Sequence, residues 1–261
     1  MGKTRRQPTF CATIADRGAA GVRVLLVHSL FDLLALLAAL AVFRLVPAAA
    51  PGVPSEPWQV HRLYIAAACL GATIGAYLAG SANLWLTGID GLGRSIEGAL
   101  AGAIIAIEAL KWRTGVEGST GLRFVAPLAA AIAVGRLRCF FAGLDDMTYG
   151  TPTTMPWGTD FGDGVPRHPV QLYEAAMMAI FLAVFLLLLR QGTEALRRTG
   201  FYAFVAFYAV QRFGWEFLKP YATVIGPLNL FHLLSLALVA YALVFARREL
   251  QLCRYRQPLR S

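Results

Sequence analysis

Residues 167–190 read RHPVQLYEAAMMAIFLAVFLLLLR, and the change of character at Glu174 decides what kind of protein this is. Every residue from Ala175 to Leu189 is apolar. With Val170 and Leu172 the run approaches the roughly 20 residues a helix needs to cross a bilayer core of about 30 Å. Yet Gln171 and Glu174 stand inside its opening turns, and Arg167 and His168 stand directly before it. Ionisable groups at bilayer depth cost roughly 2.5 to 3.5 kcal/mol each on insertion scales, so they mark a site more often than they mark packing.

The same mixture closes the preceding apolar run. Gly135-Arg136-Leu137-Arg138-Cys139 is followed by Leu144-Asp145-Asp146-Met147-Thr148-Tyr149-Gly150 and then by Pro156-Trp157-Gly158. Hydrophobic residues make up 57% of the 261 residues and charged residues only 15%, against about 25% charged in a soluble domain. Mean hydropathy is +0.56. The chain has too little polar surface to cover a globule in water, and an all-α integral membrane protein is expected. The net charge of +9 does not point to nucleic acid, because the basic residues fall in short connections and at both ends, as in a polytopic protein facing anionic lipid. Cys11, Cys69, Cys139 and Cys253 show neither a disulfide framework nor a metal-binding spacing. Lys3, Arg5 and Arg6 are not followed by an apolar core, so residues 1–22 read as a short lead-in without a cleavable leader.

Seven stretches qualify as spans, at about 24–46, 63–86, 95–112, 123–142, 170–190, 200–218 and 226–246. They form one unit over 23–246, with a basic tail at 247–261 and a polar loop between the fourth and fifth. Turn formers such as Pro47-Ala48-Ala49-Ala50-Pro51-Gly52 and Gly88-Ile89-Asp90-Gly91-Leu92-Gly93 separate them. Small-xxx-small spacings at Gly71/Gly75 and Gly98/Gly102 predict close helix packing. Arg44, Arg62, Lys111, Arg113, Arg123, Arg190, Arg197, Arg198 and the tail arginines fall on one side, against Arg94, Arg167, Lys219 and the basic N-terminal region on the other. The bias predicts a cytoplasmic C-terminus and an outer N-terminus. It also brings Glu97, Arg136, Arg138, the 143–168 loop, His168 to Glu174 and Arg212 to Lys219 to one outer face.

Arg136, Arg138, Arg167 and Arg212 offer the planar donor fork suited to a phosphate or carboxylate. Glu97, Asp145, Asp146, His168, Glu174 and Glu216 supply bases and partners, and Tyr149, Trp157, Tyr173 and Tyr208 suit the headgroup level. A phosphate-bearing amphiphile entering from the outer leaflet fits such a set. Blander roles stand beside these. Arg212 and Glu216 are four apart on one helix and can neutralise each other. Asp160 and Asp163 can belong to a solvated loop, and His168 can orient the start of a span. His28, Asp32 and His232 are expected to be satisfied by neighbouring helices.

At these residues the chain resembles bacterial prolipoprotein diacylglyceryl transferases. The resemblance rests on Arg-His-Pro-x-Gln-Leu-Tyr-Glu at 167–174, Gly-Arg at 135–136, Tyr-Gly at 149–150, and Tyr208-Ala209-Val210-Gln211-Arg212-Phe213-Gly214-Trp215-Glu216. It covers about residues 60–246, with the two glycine pairs as weaker matches. It implies a seven-span inner-membrane enzyme moving a diacylglyceryl group from phosphatidylglycerol to the thiol of a lipobox-bearing preprolipoprotein, with no cofactor. On that reading Arg136, Arg212, Glu97 and His168 are catalytic. Arg138, Asp145, Tyr149, Gly150, Arg167, Gln171, Tyr173, Glu174, Tyr208 and Glu216 bind substrate. The chain departs from the family pattern in three places. Glu97 stands where the family has histidine, Cys139 where it has asparagine and Thr73 where it has arginine. Glu97 is open to two readings, a base or a partner of Arg138. A paralogue with another acceptor, a non-catalytic lipid-binding protein and a small transporter are the competing functions.

Overall fold

The computed structural model describes residues 10–46 and 62–256. Lys3, Arg5, Arg6, the turn at 47–52 and Arg260 lie outside the described residues, as do the side chains of Cys11 and Cys253. Seven helices are described: α1 (Phe10–Leu45), α2 (Arg62–Leu86), α3 (Ile96–Thr114), α4 (Leu122–Ala142), α5 (Val170–Gln191), α6 (Glu194–Glu216) and α7 (Leu230–Arg256). Two short antiparallel hairpins interrupt the connections. β1 (Thr159–Asp160) pairs with β2 (Pro166–Arg167), and β3 (Thr223–Ile225) pairs with β4 (Leu228–Asn229). The second hairpin corrects the expected start of the last span, since Gly226 at φ 55° and Pro227 turn the chain and the helix begins only at Leu230.

Five helices are long and apolar enough to cross a membrane, the exceptions being α3 and α6. These two carry Glu97, Glu108, Lys111 and Arg113, and Glu194, Arg197, Arg198, Arg212 and Glu216, and several of these side chains are turned into the protein. The outer surfaces of α1, α2 and α5 expose Leu33, Leu37, Ile74, Leu78, Ile180 and Leu187, an apolar surface that water would disfavour and lipid would accept.

The helices pack α1 on α4, α2 on α3, α4 on α5 and α6 on α7. Between α2 and α3 the two glycine pairs face one another. A Cβ on Gly75 would collide with the Gly98 carbonyl, and one on Gly71 with that of Gly102. Only residues without a side chain allow this approach, as the spacing predicted. Val125, Met178, Phe204, Val205 and Tyr208 fill the core between α4, α5 and α6. Successive helices run in opposite directions. The starts of α3, α5 and α7 therefore meet the ends of α4 and α6 at one end of the bundle.

Candidate active site

Each element delivers its charge at that end. Ser95 caps α3, its hydroxyl accepting from the Gly98 N–H at 3.1 Å, which fixes Glu97 in the first turn. Arg136 stands near the end of α4, Glu174 in the second turn of α5, and Arg212 and Glu216 in the last turns of α6. Lys219 follows in the connection, and Asn229, His232 and Ser235 open α7.

The buried ions form one network. Arg136 Nε lies 2.5 Å from Glu174 Oε2. Arg212 is shared among three carboxylates: it pairs with Glu174, with Glu216 at 2.6 Å and with Glu97 at 3.5 Å. Lys219 Nζ donates to Glu174 at 2.9 Å and to Glu216 at 3.1 Å. The Asn229 amide donates to the second Glu216 oxygen at 3.1 Å, and the Ser235 hydroxyl donates to Glu97 Oε1 at 2.5 Å. None of the six ionic side chains is more than 5% exposed. Burial pushes the Lys219 ammonium below its ordinary pKa and Arg212 pushes it further, while Glu174 and Glu216 oppose the shift. Tyr208 is buried in the same cluster, and its hydroxyl has no hydrogen-bond partner among the described residues.

Arg136 and Arg212 differ in what they leave available. All three nitrogen positions of Arg212 meet carboxylates. Arg136 is held edge-on through Nε, Glu174 is its only ion-pair partner among the described residues, and it lines a cavity of about 250 Å³. Arg212, Arg138, Ser95, Asp145, Asp146 and Thr148 contribute to the same walls. A larger, mostly apolar cavity of about 330 Å³ lies towards the opposite end, beside Tyr64, Leu100, Phe124 and Tyr202. Its one carboxylate, Glu108, is engaged by Lys111 and by the Tyr241 hydroxyl. It gathers no cations that could meet a phosphate, so the smaller cavity is the candidate site.

The expected residues separate into three groups. Arg136, Arg212, Glu97, Glu174, Glu216 and Tyr208 come together in the buried cluster. Arg138 and Asp145 reach the cavity wall, where Arg138 pairs with Asp32 of α1 at 2.8 Å and not with Glu97. The remaining residues build the loop over this end. His168 Nδ1 faces the Tyr173 hydroxyl at 3.3 Å, and that hydroxyl also accepts from Trp157 Nε1 at 2.8 Å. Among the described residues no ion pair or hydrogen bond joins His168 to the arginines. Arg167 lies over the Tyr149 ring and pairs with Asp163 at 2.7 Å. Gln171, fully buried, donates to the Thr148 hydroxyl at 3.4 Å. Gly150 approaches the His168 backbone so closely that a Cβ would strike the His168 carbonyl, which makes it a packing position.

Of the three residues expected to be satisfied by neighbouring helices, Asp32 is, whereas His28 lies beside the connection after α4 and His232 bonds the backbone just before its own helix. His28 Nε2 is 3.6 Å from Asp146, Asp32 holds Arg138, and His232 Nδ1 accepts from the Asn229 N–H at 3.1 Å. Asp160 accepts from the backbone N–H groups of Gly162, Asp163 and Gly164, as a solvated loop residue does. Sequence reasoning placed Lys219 on the same face but gave it no role, and it missed Asn229 and Ser235. For Lys219 a signal existed, since it follows Glu216 by three residues. Asn229 carries the signal of a helix cap, an asparagine directly before an apolar run, and its Oδ1 accepts from the His232 N–H at 3.0 Å, whereas Ser235 carries no local signal.

The family model described as prolipoprotein diacylglyceryl transferase matches residues 24–247. Proteins named phosphatidylglycerol–prolipoprotein diacylglyceryl transferase are similar to this chain. The one from Geobacter sulfurreducens is 38% identical over 130 residues, covering 46% of this chain and 48% of its own length. That from Nitratidesulfovibrio vulgaris is 40% identical over 103 residues, covering 37% and 36%. That from Cupriavidus pinatubonensis is 30% identical over 142 residues, covering 53% and 50%. The chain thus spans about half or less of the length of the curated relatives it matches.

Proposed function

The chain belongs to the prolipoprotein diacylglyceryl transferase family, and from that membership we propose that it moves the diacylglyceryl group of phosphatidylglycerol to the thiol of a lipobox cysteine in an exported prolipoprotein. The observation that carries the reading is Arg136. It is a buried guanidinium, anchored from behind by Glu174 and facing a cavity at the end of a bundle with lipid-compatible walls. A phosphate placed there meets a fixed donor fork in a water-poor site, where such a contact is stronger than in water.

In the reaction the thiol sulfur bonds to the glycerol carbon that bears the phosphate. The carbon–oxygen bond breaks with its electron pair going to the phosphate oxygen, and glycerol phosphate departs with the thiol's proton. Arg136 stabilises the charge that develops on the departing group. Arg212 holds the three carboxylates in place and adds its field. The Arg136 guanidinium on the cavity wall also favours the thiolate over a thiol of ordinary pKa near 8.5. Glu97 is the carboxylate that handles a proton beside the phosphate. His168 and Tyr173 set the loop over the site, and Arg138, Asp145, Tyr149 and Gln171 shape the rim.

All seven helices span the inner membrane in this reading, with the site at the outer face and the C-terminus in the cytoplasm. Shielding of the charges of α3 and α6 inside the bundle supports the two less apolar spans. The test is transfer from labelled phosphatidylglycerol to a synthetic lipobox peptide by the purified protein. Glycerol phosphate release that needs both the peptide cysteine and Arg136 is the expected result. Lipid binding without product on any cysteine peptide would reject the thiol acceptor and favour a paralogue with another acceptor.

A further inference from the structure

We propose that the site takes up its phosphate anion together with one proton, which lodges on Glu97. This rests on the phospholipid reading above and specifies the charge state in which the substrate is held.

The argument starts from a charge balance inside the protein. Arg136, Arg212 and Lys219 face Glu97, Glu174 and Glu216, and the three positive charges cancel the three negative ones in a cluster closed to water. Arg138 is paired with Asp32, His28 lies against Asp146, and Arg94 and Asp145 are both exposed to solvent. A phosphodiester that reaches Arg136 brings one negative charge to a buried cluster whose three cations are already matched, while Arg94, the cation left on the cavity lining, stays exposed to solvent. An uncompensated charge out of water is strongly unfavourable, so a resident carboxylate must give up its charge.

The contacts single out which one. Glu174 is held by Arg136, Arg212 and Lys219. Glu216 is held by Arg212, Lys219 and the Asn229 amide. Among the described residues Glu97 is ion-paired with a single cation, Arg212, at 3.5 Å, where Glu174 is paired with three. Glu97 Oε1 is met by the Ser235 hydroxyl, a group that can rotate from donor to acceptor when the carboxyl gains a proton.

Among the described residues two histidines stand close enough to compete for the proton, His28 on the cavity wall beside Asp146 and buried His232 of α7, and a Glu97→Gln variant separates them from Glu97. Around Glu97 stand Arg212, Glu216 and the Tyr208 hydroxyl of α6, Lys219 of the following connection, and Ser235 of α7. Arg136 of α4 and Glu174 of α5 close the ring through Arg212. On α2, which packs against the start of α3 through Gly75 and Ala79, Tyr77 is exposed, and Arg62 and Tyr64 lie towards the far end. Protonation of Glu97 releases Arg212 from one of its three carboxylates and turns the cluster from neutral to singly positive as the anion arrives.

The probe is glycerophosphoglycerol, the deacylated headgroup of phosphatidylglycerol, whose phosphodiester does not titrate in the working range. Titration calorimetry on the full-length protein, in two buffers of different ionisation enthalpy, counts the protons that accompany binding. The expected result is about one proton taken up near pH 8, with affinity falling about tenfold per pH unit at alkaline pH. Glu97→Gln keeps the shape of the side chain without its charge. It is expected to bind with no proton uptake and with a flat pH profile. If that variant does not fold, the proton uptake is measured in His28→Asn and His232→Asn, where it is expected to persist, and its loss in either would overturn the assignment to Glu97. Arg136-dependent binding with no proton uptake would overturn this proposal and leave the phosphate site standing. Failure of the probe to bind at any pH would overturn both.

Discussion

Arg136 and Glu174 meet across the α4–α5 interface, guanidinium Nε to carboxylate Oε2 at 2.5 Å, with neither side chain more than 5% exposed. The pair joins the two halves of the most specific sequence block, since Arg136 precedes the polar loop and Glu174 follows it. It also turns the arginine so that one edge is occupied and the rest faces the cavity.

Replacement of Arg136 separates charge from geometry. Arg136→Ala is expected to lower kcat by about 10²- to 10³-fold, the scale on which one preorganised donor at a developing oxyanion acts. Arg136→Lys keeps the charge but loses the fork and should recover only part of it. Kinetics of glycerol phosphate release measure both, and equal activity of the alanine variant and the parent would remove Arg136 from the reaction.

Lys219 is a stability hub by its contacts with two buried carboxylates. Lys219→Met leaves Glu174 and Glu216 short of one cation, and breaking a buried pair in this way costs about 3–5 kcal/mol. A second change, Glu216→Gln, should restore part of the loss. Thermal unfolding in detergent across the double-mutant cycle gives the coupling, and additive losses would mean that the pair does not interact.

The glycines make opposite predictions. Gly75→Val forces side-chain atoms against the Gly98 backbone and should destabilise by about 1–3 kcal/mol, as overpacking does. Gly135→Ala meets no atom within 4 Å and sits inside α4, so it should be neutral or stabilising by about 0.5–1 kcal/mol. Melting temperatures of the two variants test the contrast.

The Asp163–Arg167 pair in the exposed loop responds to acid only. Its hydrogen bond to Arg167 holds the Asp163 carboxyl below the ordinary value of 3.8. A depressed folded pKa stabilises above the unfolded value and loses that contribution as pH falls through the folded one. Loop protection is therefore expected to be flat from about pH 6 to pH 9 and to weaken below the unfolded value. Hydrogen exchange at the 159–167 hairpin reads this out, and Asp163→Asn should abolish the acid step.

Orientation is tested by placing single cysteines at exposed positions on the two ends in a background where Cys11, Cys69, Cys139 and Cys253 are all replaced by serine. With the site at the outer face, Asp163→Cys should react with a membrane-impermeant maleimide in intact cells, and Gln191→Cys only after lysis. The reverse pattern would invert the assigned topology.

Much of the helical architecture was legible in the chain because it depends on composition and period. Apolar length announced the five helices long enough to cross a bilayer, while α3 and α6 fall short of that measure and α1 begins at Phe10, ahead of its apolar run. The paired glycines of α2 and α3 announced a contact that their missing side chains alone permit. The ends of the helices were less legible. Thr193 caps α6 well before the apolar stretch begins, and the Gly226–Pro227 turn delays α7. Both depend on local hydrogen bonding and backbone angles, which hydropathy does not report.

The site divides along the same line. Composition and spacing, read without coordinates, determined that an apolar chain carries Arg136, Glu174, Arg212 and Glu216 at the boundaries of its spans, and that antiparallel helices must gather those boundaries at one end. Only the tertiary structure decided who meets whom. It joined Glu97 to Ser235 across 138 positions, turned Arg138 outward to Asp32, drew Lys219 in between two carboxylates, and left His168 with Tyr173. A hydrophobic pattern specifies which face of a helix is buried, because burial sums over many weak contacts. The partner of a buried charge is chosen by ångström-scale geometry between helices distant in sequence, and that appears only when the chain is folded.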